Sequence, residues 1–378
     1  MPTTTTEAYI ARPPSSSLNL EPVTYPDLAP HELLVDILAA SVCHSDVRAA
    51  QGTFHMKPPL ILGHEGAGYV REIGSAVTYV KPGDAVVLAF ASCGECRRCE
   101  TGREPYCERL VELNFSGRRG DGTQPVRDAR GEGVNGLFFG QSSMSRVALV
   151  RERSCVKLEG EVGREELRKF ASLGCGVQTG AGAILNIAKP PPGSHIAIFG
   201  AGAVGLPALM AARPSQPASL VLIDNSATKL SMIPQTLLTN VHTLDSASLS
   251  PDELVAKLKS FTPDSRGMDF ALDCVGHEAV TQAAYWCLDK LGTVLTVGGS
   301  ATATPRVSTQ RNLVCGLTIR GTHQGDSVPR VMIPELIRRW REGRFPFELL
   351  LTEFKFEELG QAMEEMAAGR VIKPLLVV

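Results

Sequence analysis

Four cysteines stand in fifteen residues as Cys93-x2-Cys96-x2-Cys99-x7-Cys107. Thiolates at that spacing can close a tetrahedral zinc site without help from the rest of the chain. An iron-sulfur cluster takes the same ligands, but nothing else in the chain suggests one-electron chemistry. A zinc ion held by four thiolates has no open position, so its work is to hold a lobe together. A second feature is Gly200-Ala-Gly202-Ala-Val-Gly205, which follows an apolar run and opens an Ala/Leu-rich segment. There the first glycine permits a tight turn, the second lets backbone approach a pyrophosphate, and the third lets a helix pack closely on a strand. The N–H groups at the helix start then face the phosphates. Asp224 ends the next apolar run about 20 residues on, where a carboxylate accepts hydrogen bonds from an adenosine ribose and repels a 2′-phosphate. Asn225 brings no compensating charge, so NAD is expected rather than NADP.

The elements around these residues fall into two kinds. From Ala181 onward, short apolar runs at His195–Phe199, Leu220–Ile223, Phe270–Asp273 and Thr293–Val297 alternate with helical segments, which predicts a parallel, doubly wound sheet. The first third carries the short β-branched and aliphatic runs Leu33–Leu38, Val70–Ile73 and Val86–Leu88 and reads as β-rich. Residues 114–140 hold seven glycines and four arginines with little periodicity, and are expected to form a functional surface lobe. Amphipathic helices are expected at Val331–Arg341 and Phe356–Ala368. The final Leu375–Val378 reads as a strand that rejoins the first domain. The order is that of one domain inserted into another: residues 1–176 with 320–378, interrupted by 177–319.

Composition narrows the function classes. The chain has 378 residues, with 43% hydrophobic and 21% charged side chains and a formal charge of −2, which describes an ordinary globular protein with no basic arm for nucleic acid. The longest apolar stretch, Ile196–Ala212, contains three glycines and a proline, so no membrane span is expected. The N-terminus lacks the basic and apolar regions of a secretory leader, and a cytoplasmic location follows. Ten cysteines then sit in a reducing compartment, where a patterned cluster means metal more often than disulfide.

Three further clusters, Cys43-His44-Ser45-Asp46, Gly63-His64-Glu65-Gly66 and Gly174-Cys175-Gly176, are too far apart for spacing to group them. Taken with the four-cysteine lobe and the glycine fingerprint, in this order and over essentially the whole chain, they resemble the zinc-dependent medium-chain alcohol dehydrogenase family. The resemblance implies a GroES-like β-rich catalytic domain with an inserted Rossmann coenzyme domain, two zinc ions per chain, and hydride exchange between a primary alcohol and NAD by way of a zinc-bound alkoxide. Cys43, His64 and Cys175 match the ligands of the catalytic zinc, and Cys93, Cys96, Cys99 and Cys107 those of the structural zinc. Glu65 matches an acid beside the metal, Asp46 the carboxylate that orients the histidine, and Ser45 the hydroxyl that touches the substrate oxygen. His44 and Lys373 match two groups at the pyrophosphate.

The chain departs from the family pattern at three places. Arg48 stands where several members have a histidine that ends a proton relay. Pro214, Pro217 and Pro234 interrupt segments that are usually helical, so shortened or kinked helices are expected there. His323 has no matching role and reads as a packing residue. Asn114–Gly122 and Gly325–Ser327 resemble the branch acting on aryl and allylic alcohols, with Phe54, Phe90 and Phe115 as either pocket walls or core. A glutathione-adduct or polyol dehydrogenase, or an enzyme acting on a complex secondary metabolite, would share the zinc and NAD features. The family forms dimers or tetramers, and a homodimer is expected. Cys155, Cys274, Cys287 and Cys315 are left as buried small apolar residues.

Overall fold

The structure, a computed structural model, describes residues 3–12, 18–52, 56–300 and 302–378. Phe54 lies outside the described residues. The chain divides into two units. The first comprises 1–175, 328–337 and 351–378, and the second 176–327 and 338–350. Residues 320–327 and 338–350 thus go with the coenzyme unit and not, as the sequence reading has it, with the catalytic one. Phe345 and Phe347 are buried, with their rings 6.2 Å apart and Trp340 beside Phe347. Gly343, Arg344 and Pro346 share a cavity wall with Met210 and Leu220 of the same unit.

The first unit is built on two sheets. Glu32–Ser41 is the spine of the larger one: nearly every residue is buried, as befits a strand covered on both faces. It pairs antiparallel with Gly66–Ile73, Val147–Arg151 and the C-terminal Lys373–Val377, whose Leu375 and Leu376 face Ser41 and Ala40. The C-terminal strand therefore lies inside the sheet next to Cys43, with Leu351–Lys355 paired on its other side. The smaller sheet orders Leu60–Ile61, Thr4–Ala11, Asn19–Tyr25, Val126–Asp128 and Gly133–Val134.

Two of those strands come from residues 114–140, which were expected at the surface. That expectation holds for 120–123 and 129–132, which are exposed, and fails for the core-forming residues: Asn114, Val126, Val134, Leu137, Phe138 and Phe139 are all buried. Glycine content reports tight turns, not exposure, and the core residues of this segment fall between its turns.

The second unit holds six parallel strands in the order His242–Asp245, Ser219–Asp224, His195–Phe199, Met268–Asp273, Leu288–Thr296 and Thr318–Gly321. In chain order that is 3-2-1-4-5-6, the dinucleotide-binding arrangement, with the ligand crevice outside the carboxyl ends where the order reverses. The helices Gly205–Ala212 and Ala227–Met232 are only eight and six residues long. Pro214 sits in the turn that ends the first and Pro234 follows the second, since a ring in the helix interior removes a donor and clashes with the preceding turn. Among the described residues no helix is long and apolar enough to cross a membrane.

Candidate metal centre and coenzyme unit

Cys43 is the N-cap of the helix His44–Ala50, and Asp46 is its third helical residue, the two positions of a capping box. The Asp46 carboxylate is fully buried. Its Oδ2 accepts the Cys43 backbone N–H at 3.0 Å, while Oδ1 accepts Gly63 N–H at 3.0 Å and stands 3.1 Å from His64 Nδ1. One side chain therefore fixes two candidate ligands from separate segments. Gly63 has φ +93°, and a side chain there would collide with the Met144 backbone, so the turn that delivers His64 admits only glycine.

With Nδ1 turned to Asp46, His64 Nε2 is left buried without a hydrogen-bond partner. A His64 ring nitrogen and the Cys43 and Cys175 sulfurs, with a Glu65 carboxylate oxygen, lie within 4.8 Å of one another. An orphaned imidazole nitrogen between two thiols fits a zinc ion, with Asp46 holding the imidazole in the required tautomer. Proton sharing agrees: the Cys43 thiol is pulled well below its ordinary range by hydrogen bonding with Cys175, whose own pKa rises well above it. Thiols so close together would give up their protons to a divalent cation held between them. Burial opposes charge on His64, yet the Asp46 carboxylate lifts its pKa well above 6.5. Ser45 Oγ lies 4.0 Å from Cys43 Sγ, at the edge of the cluster.

Lys373 departs from expectation. Its side chain is fully buried, with Nζ 2.6 Å from Glu65 Oε2 and donating to the Val42 carbonyl at 3.2 Å. An ammonium enclosed in this way is a counter-charge to Glu65 and not a cation offered to a pyrophosphate. Burial pushes the Glu65 carboxyl up to about 7 against the pull of Lys373. Desolvation disfavours charge on Lys373, but Glu65 outweighs it and the lysine pKa rises. His44, by contrast, is exposed at the start of its helix, as is Arg48 one turn on.

Phe138 and Phe139 are the site residues that sequence reasoning missed. The Phe139 ring stacks on His64 with centroids 4.5 Å apart and 24° between planes, and Phe138 meets the same imidazole edge-on at 5.3 Å. Phe115 packs edge-on against Phe139 at 5.0 Å. Leu137 and Phe139 hold positive φ angles of 57° and 51°, strained backbone of the kind found at functional sites. The adjacent pair Phe138-Phe139 inside a glycine-rich stretch was the available signal. Phe90 lies in the core of the first unit.

The four cysteines of the lobe also converge. Their sulfurs lie within 4.8 Å of one another, with Cys93 to Cys99 at 3.8 Å and Cys96 to Cys99 at 3.5 Å. Ligands at about 2.3 Å around a tetrahedral zinc stand roughly 3.8 Å apart, so the set fits that ion. Backbone N–H groups point at three of the sulfurs: Cys93 N–H at Cys107, Cys96 N–H at Cys93 and Glu108 N–H at Cys96. Hydrogen bonding led by the Glu108 amide draws the Cys96 thiol down to about 6. Of the remaining cysteines, Cys155 and Cys287 are buried, but Cys274 and Cys315 are partly exposed. All ten thiols are free.

In the second unit, a side chain at Gly205 would strike the Gly200 carbonyl, whereas one at Gly202 would meet no protein atom within 4 Å. The chain's own packing thus explains Gly205 but not Gly202, and the open space over Gly202 fits a coenzyme pyrophosphate. Asp224 ends the second strand, with Oδ2 accepting Ala201 N–H at 2.8 Å and Oδ1 accepting Ser226 N–H at 3.0 Å. It braces the glycine turn while a carboxylate's further lone pairs stay open to a ribose. His323 is partly exposed at the start of the turn Gln324–Asp326.

Comparison with known proteins accords with this geometry. Residues 29–160 match the alcohol dehydrogenase GroES-like domain and residues 203–340 the zinc-binding dehydrogenase family. Geraniol dehydrogenase of Castellaniella defragrans is 37% identical over 373 residues, which covers 98% of this chain and 97% of that protein. Among solved structures, an alcohol dehydrogenase zinc-binding domain protein from Burkholderia ambifaria superposes with a TM-score of 0.92 at 34% identity, covering 100% of both chains. Benzyl alcohol dehydrogenase from Acinetobacter calcoaceticus does so with 0.91 at 32%, covering 99% of both. The chain belongs to the zinc-dependent medium-chain alcohol dehydrogenase family, with the two zinc sites and the coenzyme unit of an NAD-dependent alcohol dehydrogenase.

Proposed function

We propose that the substrate is a primary alcohol whose reacting carbon is attached to a flat conjugated group, aryl or allylic, and that the enzyme interconverts it with its aldehyde. The observation that carries this reading is the aromatic cluster at the metal centre, where the buried Phe139 lies flat against His64 and the partly exposed Phe115 packs edge-on against it. Planar apolar substrates gain most from such surfaces. The names of the geraniol and benzyl alcohol dehydrogenases similar to this chain point the same way.

When bound, zinc acidifies the alcohol and polarises the aldehyde, and NAD exchanges the hydride. The residues of the chain supply position and proton handling. Cys43, His64 and Cys175 hold the metal, Asp46 fixes the imidazole, and Glu65 with Lys373 forms a buried ion pair behind them. Ser45, at the edge of the cluster, relays the alcohol proton, accepting it as its own hydroxyl proton passes on to water. Arg48 cannot act as a neutral acceptor at ordinary pH, so the proton leaves through water. Gly200, Gly202, Gly205 and Asp224 hold the dinucleotide, and His44 is the polar group offered to its phosphates.

A homodimer is the assembly we favour. In the second unit the sheet's edge strand Thr318–Gly321 is exposed throughout, and Leu313, Val314, Ile319 and Leu291 around it are exposed large apolar residues, as an edge awaiting a partner requires. Ten free thiols suit the reducing cytoplasm. The deciding experiment is oxidation of matched benzylic, allylic, straight-chain and polyhydroxy alcohols followed by NADH absorbance. Benzylic and allylic alcohols should show the highest kcat/KM. Preference for a polyol or a glutathione adduct would replace the substrate reading and leave the zinc and NAD assignments standing.

A further inference from the structure

Away from the metal centre, the first unit contains a cavity of about 620 Å³ beside the zinc lobe, lined in part by Arg109, Arg119, Arg151, Ala29, Pro30 and Leu113. Volumes of this order accept small ligands. The carboxylates in its wall are already engaged. Glu32 takes both the Nε and Nη2 donors of Arg119, and Glu152 Oε1 accepts two backbone N–H groups at 2.8 Å, from Thr78 and Tyr79. Glu95 and Glu112 both pair with Arg109, and Asp121 is held by Thr123.

Arg151 is the exception. Among the described residues its only side-chain hydrogen bond runs from Nη2 to the Arg118 carbonyl at 2.8 Å, no carboxylate lies within ion-pair distance, and its buried Nε has no partner. Burial accordingly disfavours the charge on this guanidinium and lowers its pKa, with Glu32 and Glu112 attracting it from a distance and Arg109 and Arg119 repelling it. A guanidinium held in this way at a cavity wall lacks the planar anion that its fork of donors matches. Ala29, Pro30 and Leu113 add apolar surface to the same cavity.

We propose that this cavity binds a small organic anion, a carboxylate on an apolar body, with Arg151 as its ion-pair partner. The site is separate from the catalytic metal centre and does not depend on the substrate reading.

The test is calorimetric titration of the zinc-loaded enzyme with benzoate, with benzamide as the neutral isostere and inorganic phosphate as the anion without an apolar body. Arg151→Gln should weaken benzoate binding at least about tenfold, as removal of a charge-assisted pair predicts. It should leave zinc content and alcohol turnover unchanged. Gly120→Glu provides a second variant, because a Cβ at this wall position meets nothing nearer than Glu112 Oε1 at 3.7 Å. A carboxylate added to this wall should repel the anion and weaken benzoate binding while leaving zinc content unchanged. Equal benzoate affinity in wild type and Arg151→Gln would mean that the anion binds elsewhere, at the catalytic metal included, and would overturn the proposal. So would benzamide binding as tightly as benzoate, absence of any benzoate binding, or binding of phosphate alone.

Discussion

Replacing Asp46 by Asn tests how the metal centre is held. The carboxylate accepts three N–H donors, from Cys43, Gly63 and His64, at 3.0 to 3.1 Å and with no exposure to water. An amide keeps the size but has only one acceptor atom. If its oxygen takes the Gly63 and His64 donors, its NH2 faces the Cys43 N–H, and if it turns over, it faces the other two. At least one buried donor is left unsatisfied, at about 1–3 kcal/mol. The remaining bonds lose their charge assistance, and the imidazole loses the partner that fixes its tautomer. Changes to such supporting partners weaken metal binding by roughly 10- to 100-fold. Dialysis against graded chelator, followed by metal analysis, should strip zinc from Asp46→Asn at a chelator strength that leaves wild type with about two ions per chain, one for each ligand cluster. The zinc lobe, remote from Asp46 in sequence, should keep its ion. Equal retention of both ions in the variant would refute the idea that Asp46 organises the site.

Glu65→Gln should destabilise the enzyme by about 3–5 kcal/mol in denaturant titration, because it leaves the buried Lys373 ammonium without its carboxylate. Adding Lys373→Met should recover a large part of the loss, and a double variant no better than the single one would argue against the pairing. Gly205→Ala should lower the melting temperature through its clash with the Gly200 carbonyl. Gly202→Ala should melt like wild type yet bind NAD weakly, and undiminished affinity would remove the pyrophosphate from that turn. Asp128 is held below its ordinary pKa of 3.8: burial opposes its charge, but Arg12 at 2.7 Å and the Glu132 and Arg130 N–H groups prevail. A depressed carboxyl stabilises above the unfolded pKa and loses that contribution as pH falls through the folded one. Asp128→Asn should therefore be less stable at pH 7 by about 1–3 kcal/mol. The gap should narrow below pH 3.8, and a constant gap would rule out this linkage.

Much of the architecture was legible because its signals are local. The glycine fingerprint sits between a buried strand and a helix, and the cysteine spacing closes a site within one lobe, so neither needs distant information. The catalytic set was different. Cys43, His64 and Cys175 converge only after the strand Glu32–Ser41 pairs with Gly66–Ile73, and only resemblance could group them beforehand. Phe138 and Phe139 were hidden in a stretch whose glycines and arginines dominate its composition. For Lys373 a usable signal existed. A lone lysine opening Lys-Pro-Leu-Leu-Val, a run buried in a sheet, needs a carboxylate inside the fold, and Glu65 in Gly63-His64-Glu65-Gly66 was available. The aromatic and helical pieces of 338–350 gave no hint of which unit they join, because amphipathic segments do not name their partner.

Metal analysis and NADH production measured together on Cys175→Ala test the central claim most directly. The variant should remain folded, retain about one zinc per chain in the four-cysteine lobe, and show no alcohol-dependent NADH formation. Two tightly held zinc ions, or turnover close to that of wild type, would contradict the assignment of Cys43, His64 and Cys175 as the catalytic zinc site.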